Sequence, residues 1–342
     1  RWAEAVGYRT VSVKGGRIYL NGHPYWCRGA GQPPYGYKPN DAVTAHAFLH
    51  LMHEGNEMVT RTGCNPWNDL WYSAADVEGV GVSSEGVRPW ALMSKAPPPA
   101  PALIAQWQAE QVATVRRYRN HPSILFWCIS NEGLQGDARN PEKIAIFRDI
   151  IAAVRQADPT RPIIQTSGDL DYAHNADIED VHAYWGWYES SSYVNEYTHP
   201  MRGLSGTPGH AFLNEECAVP YQNTDTGGVH PAYIGRYSAH PWVGEFGVTN
   251  ADPACFAEHI RAEAKLKSEK LRYQRAEQPT AGALLFANTT WVKNVLTRPP
   301  SQWQPFPVYD AVKQGYAPVL LAWGTSQSVF FAGGSIRTRL YV

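Results

Sequence analysis

Several classes of function are excluded by what this 342-residue sequence lacks. No apolar run approaches the ~20 residues that a membrane-spanning helix needs, and a net charge of −1 leaves no basic surplus for binding nucleic acid or an anionic membrane. The five cysteines are scattered and include no C-x-x-C pair, so neither a disulfide framework nor a zinc site is expected. The sequence also lacks H-E-x-x-H metal motifs, Gly-rich phosphate loops and G-x-S-x-G nucleophile elbows. We therefore expect a reaction that needs no metal and no cofactor.

Aromatic residues, by contrast, are abundant, with 13 Trp and 19 Tyr in the chain. Trp and Tyr have flat apolar faces with a polar edge, which suits stacking on sugar rings, although the same residues also build ordinary cores. The length is sufficient for one large α/β barrel and part of a further domain. Composition is therefore compatible with an enzyme that acts on carbohydrates.

The most informative segment runs from Arg119 to Gly133 and has the sequence RNHPSILFWCISNEG. A turn-forming Asn-His-Pro precedes an unbroken apolar run, which predicts a strand buried on both faces, as in a parallel sheet. Asn131 and Glu132 follow at the carboxyl end of that strand, where a parallel α/β barrel has its active site. Burial of a carboxyl group near aromatic residues raises its pKa, which suits a general acid at neutral pH. Taken alone, an Asn-Glu pair after a strand is also compatible with Glu132 being a helix N-cap or a solvated loop carboxylate.

Strand and helix patterns alternate along the chain, as a parallel barrel requires. A hairpin is predicted over 8–20, before a turn at Asn21-Gly22. The other barrel strands besides the run before Asn131 are predicted at 24–29, 57–62, 80–85, 162–166, 180–187, 211–215 and 281–288. Helices are predicted at 45–53, 69–77, 104–118, 142–156 and 256–276. We expect an N-terminal hairpin unit over 1–24, a catalytic barrel over 25–316 and the truncated start of a β-sandwich over 317–342.

The segment 119–133 resembles the R-N-H-P-S-[IV]-x-x-W-x-x-x-N-E signature of glycoside hydrolase family 2 and its barrel relatives. Shorter matches extend the resemblance almost end to end, among them D-V-E-G-V-G-V at 76–82, D-P-T-R-P at 158–162 and Y-W-G-W-Y at 184–188. The resemblance implies an α/β fold, a (β/α)8 TIM barrel, with Glu132 as the acid/base and Asn131 binding the sugar 2-hydroxyl. Family members carry sandwich domains before the barrel. We therefore expect an excised catalytic domain, whose homo-oligomers would form through the missing domains.

A retaining glycosidase also needs a nucleophilic carboxylate roughly 5–5.5 Å from the acid/base. The resemblance implies a glutamate at the end of the seventh strand, in a pattern such as F-[LIV]-S-E-[FY]-G. The sequence F-L-N-E ending at Glu215 matches the first half, and G-E-F-G around Glu245 matches the second half. We predict Glu215, because it leaves a sixth crossover of ordinary length, and Glu245 and Glu216 stay as alternatives. Strict alternation along a strand would prevent Glu215 and Glu216 from both pointing inward.

Further residues are candidates for the sugar site, some implied by the resemblance and others, His182 and Glu85, by their positions on the predicted strands. Arg61 ends the second strand, where the family keeps an arginine that holds the charge of the nucleophile; a surface ion pair is the alternative. Tyr184 ends the sixth strand, where family tyrosines hydrogen-bond the nucleophile. His182 lies on the same strand face and either contacts substrate or is a core histidine. Trp291 follows the eighth strand, where a tryptophan often forms the floor of the sugar site, and Glu85 is either a hydroxyl-binding or a structural carboxylate.

Together these features predict a retaining exo-β-glycosidase that cleaves O-glycosidic bonds by double displacement with two glutamates. Its partner would be an oligosaccharide or a polysaccharide-derived glycoside, with no nucleic acid and no membrane involved. A glucuronidase activity is not favoured, because the W-V-K-N sequence at 291–294 has the residues of the family's Asn-x-Lys carboxylate-binding motif in the wrong order. Galactosidase and mannosidase activities stay open, and the first is favoured because it is common in the family. Two alternatives stay open. One is an endo-acting polysaccharide hydrolase, suggested by the long Gly-, Pro-, Asn- and Ser-rich stretch 189–253, and the other is a non-catalytic sugar-binding barrel.

Overall fold

The computed structural model describes residues 6–87, 97–134, 137–182, 207, 209–218, 223–227, 281–319, 322–324, 332–335 and 339–341. The chain begins with a three-stranded antiparallel sheet, in which β1 (Val11–Lys14) pairs with β2 (Arg17–Leu20), and β2 pairs with β3 (His23–Pro24). The predicted hairpin is therefore present, and its turn at Gly15-Gly16 has positive φ angles of 56° and 74°. Such angles are readily adopted by glycine.

Eight parallel strands then close into a barrel. They are β4 (Cys27–Ala30), β5 (Val59–Arg61), β6 (Gly81–Glu85), β7 (Ile124–Cys128), β8 (Ile163–Ile164), β9 (Ile178–His182), β10 (Ala211–Ala218) and β11 (Gly282–Phe286). Each strand pairs with the next one in sequence, and β11 closes the barrel by pairing with β4. The predicted TIM barrel is confirmed.

Helices lie on several of the chain segments between strands, and three of them begin with a side-chain cap. The helices are α1 (Ala42–Glu54), α2 (Asp69–Glu78), α3 (Pro101–Tyr118) and α4 (Pro141–Ala157), and α5 (Pro307–Gly315) follows the last barrel strand. The side chains of Asp41, Asn68 and Asn140 accept backbone N–H groups at the starts of α1, α2 and α4. The helix predicted over 256–276 lies outside the described residues.

The N-terminal hairpin closes one end of the barrel. Val11 and Ile18 belong to the apolar cluster that fills the barrel interior. The Arg9 guanidinium donates hydrogen bonds to the carbonyls of Pro122 and Ile124, where β7 begins. Because these contacts lie at the amino-terminal ends of the strands, the opposite, carboxyl-terminal end is the one where a functional site can form.

Many of the abundant aromatic residues belong to a second core outside the barrel wall. Trp67, Trp71 and Tyr72 are fully buried, and the ring of Trp67 packs in tilted geometry against those of Trp71 and Tyr72 at centroid distances of 5.4 and 5.9 Å. The aromatic content of the sequence therefore reflects core packing to a large extent, and it gives only weak support for sugar binding.

The C-terminal part contains short strand pairs. β12 (Val292–Lys293) pairs with β13 (Gln304–Pro305), and β14 (Ala322–Gly324) pairs with β15 (Arg339–Tyr341), both antiparallel. The β-sandwich that we expect after residue 316, like the other domain boundaries, stays a prediction. Among the described residues, the helices are too short or too polar to cross a lipid bilayer.

Candidate active site

Charged and polar side chains from five strands meet at the carboxyl-terminal end of the barrel. They are Arg61 on β5, Glu85 on β6, Asn131 and Glu132 directly after β7, His182 on β9 and Glu216 on β10. The strands are distant in sequence, but the parallel barrel brings their ends to one rim. Hydrogen bonds and ion pairs link all six side chains into one network.

Arg61 is at the centre of this network and is fully buried. Its Nη2 donates to Glu85 Oε1 at 2.5 Å and to Asn131 Oδ1 at 2.6 Å, and its Nη1 donates to Glu216. Burial opposes the charged form of the guanidinium, but the carboxylates of Glu85 and Glu216 outweigh it and raise the pKa of Arg61. Arg61 is therefore a buried cation between two acids, and the alternative of a surface ion pair is wrong.

A β-bulge in β10 decides which acidic side chains reach this site. Leu213 pairs with Asp180 of β9, and three residues later Glu216 pairs with His182, only two residues after Asp180. A register shift occurs at the same place against β11. Because the bulge inserts one extra residue, side chains stop alternating strictly between the two faces. The expectation that only one of Glu215 and Glu216 can point inward is wrong, since both are buried and both lie near Arg61.

Glu132 and Glu216 lie on either side of His182. The Nδ1 atom of His182 is 2.9 Å from Glu132 Oε1 and 3.2 Å from Glu216 Oε2. One oxygen of each carboxylate and one ring nitrogen all lie within 4.8 Å of one another. The structure thus brings Glu132 together with Glu216, which was an alternative to Glu215 as the predicted nucleophile.

Glu215, the predicted nucleophile, points deeper into the barrel. It is fully buried beside Glu85 and Cys128, and among the described residues neither of its carboxyl oxygens has a hydrogen-bond partner of normal geometry. Burial, with the nearby charge of Asp180, raises the pKa of Glu215 to about 8. A carboxyl group in this environment is mainly protonated at neutral pH and is a poor nucleophile there.

His182 is oriented by a second set of hydrogen bonds. Its Nε2 lies 3.0 Å from the Ser167 hydroxyl, which donates to Asp180 Oδ2 at 2.9 Å. Since that hydroxyl hydrogen is used on Asp180, Nε2 is the donor to Ser167 while Nδ1 faces the two glutamates. Burial opposes the charged ring, but the negative charge of Glu216 and the hydrogen bond to Glu132 outweigh it and raise the pKa of His182. The geometry and the charges both favour an imidazolium.

The backbone at Glu132 is held in an uncommon conformation by the neighbouring strand. Glu132 has φ 48°, in the left-handed region that non-glycine residues rarely adopt. Its N–H donates to the Ser167 carbonyl at 2.7 Å, and the N–H of Gly133 donates to the Thr166 hydroxyl at 2.8 Å. Strained backbone of this kind is concentrated at functional sites, because the surrounding structure must hold it in place.

Three other predicted site residues have different outcomes. Trp291 lies in a 3-10 turn after β11, but its side chain is fully buried in the core and offers no ring face to an open cleft. This burial does not support the prediction that Trp291 forms the floor of the sugar site. Tyr184 and the alternative nucleophile Glu245 lie outside the described residues, so their roles stay predictions.

Sequence reasoning did not identify the residues that orient the site. Ser167 follows the predicted fifth strand directly and Asp180 begins the predicted sixth strand, so a search for polar residues at strand ends would have found Ser167. Asp180 is fully buried, and burial raises its pKa. No local pattern indicates that its two oxygens bind Ser167 and the backbone N–H of Glu215.

Comparisons with known proteins agree with this architecture. "Beta-galactosidase 2" of Enterobacter cloacae is 28% identical over 246 residues, which are 69% of this chain but 22% of that protein. "Beta-galactosidase" of Photobacterium profundum is 30% identical over 175 residues, 48% of this chain and 16% of that protein. The chain therefore spans about a fifth of the length of these curated relatives.

Solved structures show the same fold at low sequence identity. The β-D-glucuronidase of Dictyoglomus thermophilum superposes with a TM-score of 0.65 at 16% identity, covering 92% of this chain and 54% of that one. A GH2 β-galacturonidase from Eisenbergiella tayi, bound to galacturonate, superposes with a TM-score of 0.65 at 18% identity. The superposition covers 92% of this chain and 55% of that one.

The model of the family "Glycosyl hydrolases family 2, TIM barrel domain" matches residues 11–242. This range is well over half of the chain and contains the barrel from β4 to β10, including Arg61, Glu132, His182 and Glu216. The chain therefore belongs to glycosyl hydrolase family 2 and carries its TIM barrel domain.

Proposed function

We propose that this chain is the catalytic domain of a retaining exo-β-glycosidase, with Glu132 as acid/base and Glu216 as nucleophile. The observation that carries the proposal is the separation of their carboxylates, whose nearest oxygens lie within 4.8 Å of each other. Retaining glycosidases need about 5–5.5 Å between the two groups, whereas inverting enzymes need about 6.5–9.5 Å to admit a water molecule. The short separation supports double displacement.

Glu216 is the better-placed nucleophile of the adjacent pair because its side chain contacts two cationic groups. Its Oε1 accepts from Arg61, and its Oε2 faces the His182 ring at 3.2 Å. Two cationic groups therefore stabilise its negative charge, whereas burial and Asp180 destabilise that of Glu215. This assignment replaces our sequence-based preference for Glu215.

The reaction proceeds in two displacements. In the first, a Glu216 oxygen bonds to the anomeric carbon while the glycosidic bond breaks and the Glu132 proton passes to the leaving oxygen. In the second, the Glu132 carboxylate takes a proton from water, whose oxygen displaces Glu216 from the anomeric carbon. Asn131, held through its Oδ1 by Arg61, has its amide N–H₂ group available to a sugar hydroxyl.

The substrate that we propose is a terminal β-galactoside of an oligosaccharide or polysaccharide-derived glycoside. The support is that the two sequence relatives are both β-galactosidases. An endo-acting hydrolase and a non-catalytic sugar-binding barrel are the competing hypotheses. The complete set of Arg61, Glu132, His182 and Glu216 favours catalysis over binding alone.

The test is hydrolysis of a panel of aryl β-glycosides by the wild type and by Glu132→Gln, Glu215→Gly, Glu216→Gly and Glu245→Gly. We expect the wild type to release the aryl group from the β-galactoside. The rate of hydrolysis should fall about 10²–10⁴-fold in Glu132→Gln and at least as much in Glu216→Gly. The neighbouring Glu215→Gly is the matched control, and it should retain the major part of the activity. Cleavage of oligosaccharides without aryl glycoside hydrolysis would favour the endo hypothesis, and a folded but inactive wild type that binds sugar would favour the binding barrel.

Added azide identifies the nucleophile and the acid/base from the stereochemistry of the glycosyl azide that forms. In Glu216→Gly, azide would attack the anomeric carbon from the vacated side while the aglycone leaves, which gives the α-glycosyl azide. In Glu132→Gln, azide would instead displace Glu216 from the glycosyl-enzyme, which gives the β-glycosyl azide. An α-azide from Glu215→Gly or Glu245→Gly, and none from Glu216→Gly, would overturn the assignment of the nucleophile.

A further inference from the structure

We infer that Glu132, His182 and Glu216 form a binding site for a tetrahedral transition-metal ion such as Zn²⁺, and that occupancy of this site blocks turnover. The inhibitory effect rests on the proposed function, but the metal binding does not. The sequence contains no local metal motif, because the three ligands come from three different strands of the barrel.

The first argument is geometric. With Zn–N and Zn–O distances of about 2.0–2.1 Å, neighbouring ligand atoms in a tetrahedral site lie ~3.3 Å apart. The His182 Nδ1 is 2.9 Å from the Glu132 oxygen and 3.2 Å from the Glu216 oxygen, and all three atoms lie within 4.8 Å of one another. An ion would therefore need only small side-chain shifts, and it would take the place of the Nδ1 proton. Water would supply the fourth ligand.

The second argument concerns the orientation of the ring. Metal-binding histidines almost always use their other nitrogen to bind a hydroxyl, carbonyl or carboxylate, and this fixes the ring and its tautomer. The Nε2 of His182 lies 3.0 Å from Ser167 Oγ and 3.5 Å from Asp180 Oδ2. Nδ1 is thereby directed at the two glutamates.

The third argument is the choice of metal. One imidazole with two carboxylates suits zinc and neighbouring transition metals, whereas Mg²⁺ prefers oxygen ligands alone. A second group of potential ligands, formed by Glu85, Cys128 and Glu215, is less suitable. Burial raises the pKa of the Cys128 thiol and opposes the thiolate that a metal requires.

An ion at this site would prevent catalysis directly. It would occupy the lone pairs with which Glu216 attacks the anomeric carbon and Glu132 exchanges its proton. Sugar and zinc would therefore compete for the same atoms.

The experiment is calorimetric titration of the full chain with Zn²⁺ alone, and separately with Mg²⁺. We expect Zn²⁺ to bind with one-to-one stoichiometry and Mg²⁺ to bind much more weakly. Loss of an outer-shell partner typically weakens metal binding by about 10–100-fold, and loss of a direct ligand weakens it at least as much. His182→Asn and Glu216→Gln should therefore each weaken Zn²⁺ binding at least ~10-fold. Circular dichroism and thermal unfolding would verify that both variants are folded.

The matched control is a histidine–carboxylate cluster on the surface. His46 and His50 on α1 each contact Glu78, at 2.9 and 3.0 Å, and offer Zn²⁺ a competing set of ligands. The double variant His46→Asn/His50→Asn should retain the wild-type Zn²⁺ affinity and activity. Wild-type affinity in His182→Asn, or loss of binding in the double variant, would overturn the inference.

Inhibition kinetics separate this inference from the proposed function. Zn²⁺ should inhibit glycoside hydrolysis competitively, and a chelator should reverse the inhibition. Non-competitive inhibition would contradict the shared site. If the wild type hydrolyses no glycoside but His182→Asn still loses Zn²⁺ affinity, the metal site stands and the proposed function fails.

Discussion

At the scale of single residues, two adjacent glutamates illustrate how environment determines chemistry. Glu216 contacts Arg61 and His182, whereas Glu215 lies in the barrel interior without a good hydrogen-bond partner among the described residues. The sequence offers no means of distinguishing them, since the pattern F-L-N-E-E-C places both at the end of one strand. The difference depends on a bulge and on cations from other strands.

The raised pKa of Glu215 predicts a pH-dependent stability. Its pKa is about 8 in the folded chain, above the ordinary value of 4.5, so the folded state retains a proton that the unfolded state releases. The stability that this proton provides is complete below pH 4.5 and is lost as the pH rises to about 8. Urea unfolding at pH 5 and at pH 8 should therefore show Glu215→Gln gaining stability relative to the wild type at the higher pH. A difference that does not change with pH would contradict the assignment.

Removal of Arg61 should be strongly destabilising. Arg61→Ala removes the buried guanidinium that pairs with both Glu85 and Glu216, which we expect to lower the free energy of unfolding by about 3–5 kcal/mol. Arg117→Ala is the control, because its ion pair with Asp69 is exposed and such pairs contribute little to stability. Equal effects of the two substitutions in urea unfolding would refute the buried role of Arg61.

At the scale of secondary-structure elements, the ends of β7 and β8 together hold the acid/base. The Thr166 hydroxyl accepts the N–H of Gly133, and the Ser167 carbonyl accepts the N–H of Glu132. Both bonds stabilise the left-handed backbone at Glu132. The position of the catalytic carboxylate therefore depends on the neighbouring strand.

Thr166→Val tests this dependence. The substitution leaves the buried N–H of Gly133 without its acceptor, which should cost about 1–3 kcal/mol of stability. It should also lower kcat more than it raises KM, because the carboxylate is displaced. Thr166→Ser retains the hydroxyl and should preserve kcat. A fall in kcat with Thr166→Ser as large as that with Thr166→Val would exclude the hydrogen bond as the cause.

Several elements were predictable from the sequence for physical reasons. The strand that ends before Asn131 was found because its apolar run is unbroken, and α4 was found because apolar residues recur on one face of the helix, where Phe147, Ile151 and Val154 are buried. The bulge in β10 was not predictable, since bulges depend on pairing with strands on both sides. Trp291 was predicted to face the sugar because it follows a strand, but its side chain is buried in the structure.

At the scale of the whole molecule, the barrel has one closed end and one functional end. The N-terminal sheet supplies Val11 and Ile18 to the interior cluster at the amino-terminal end, while the charged network occupies the carboxyl-terminal end. The family model and the similar structures establish the fold.

Shortening Ile18 tests the contribution of the hairpin to the barrel. Ile18 is 1% exposed, so Ile18→Ala should destabilise by about 2–5 kcal/mol and Ile18→Val by about 0.5–1.5 kcal/mol. The matched series would be compared by urea unfolding. A change of less than about 0.5 kcal/mol with Ile18→Ala would indicate that the hairpin does not pack into the barrel.

The central claim is that Glu216 attacks the anomeric carbon, and the most direct measurement is to trap the glycosyl-enzyme. A 2-deoxy-2-fluoro β-galactoside with a good leaving group slows both displacements, but it keeps the first faster than the second, so the covalent intermediate accumulates. Peptide mapping by mass spectrometry would then locate the added sugar. We predict that the label is on Glu216, whereas a label on Glu215 or Glu245 would contradict the account.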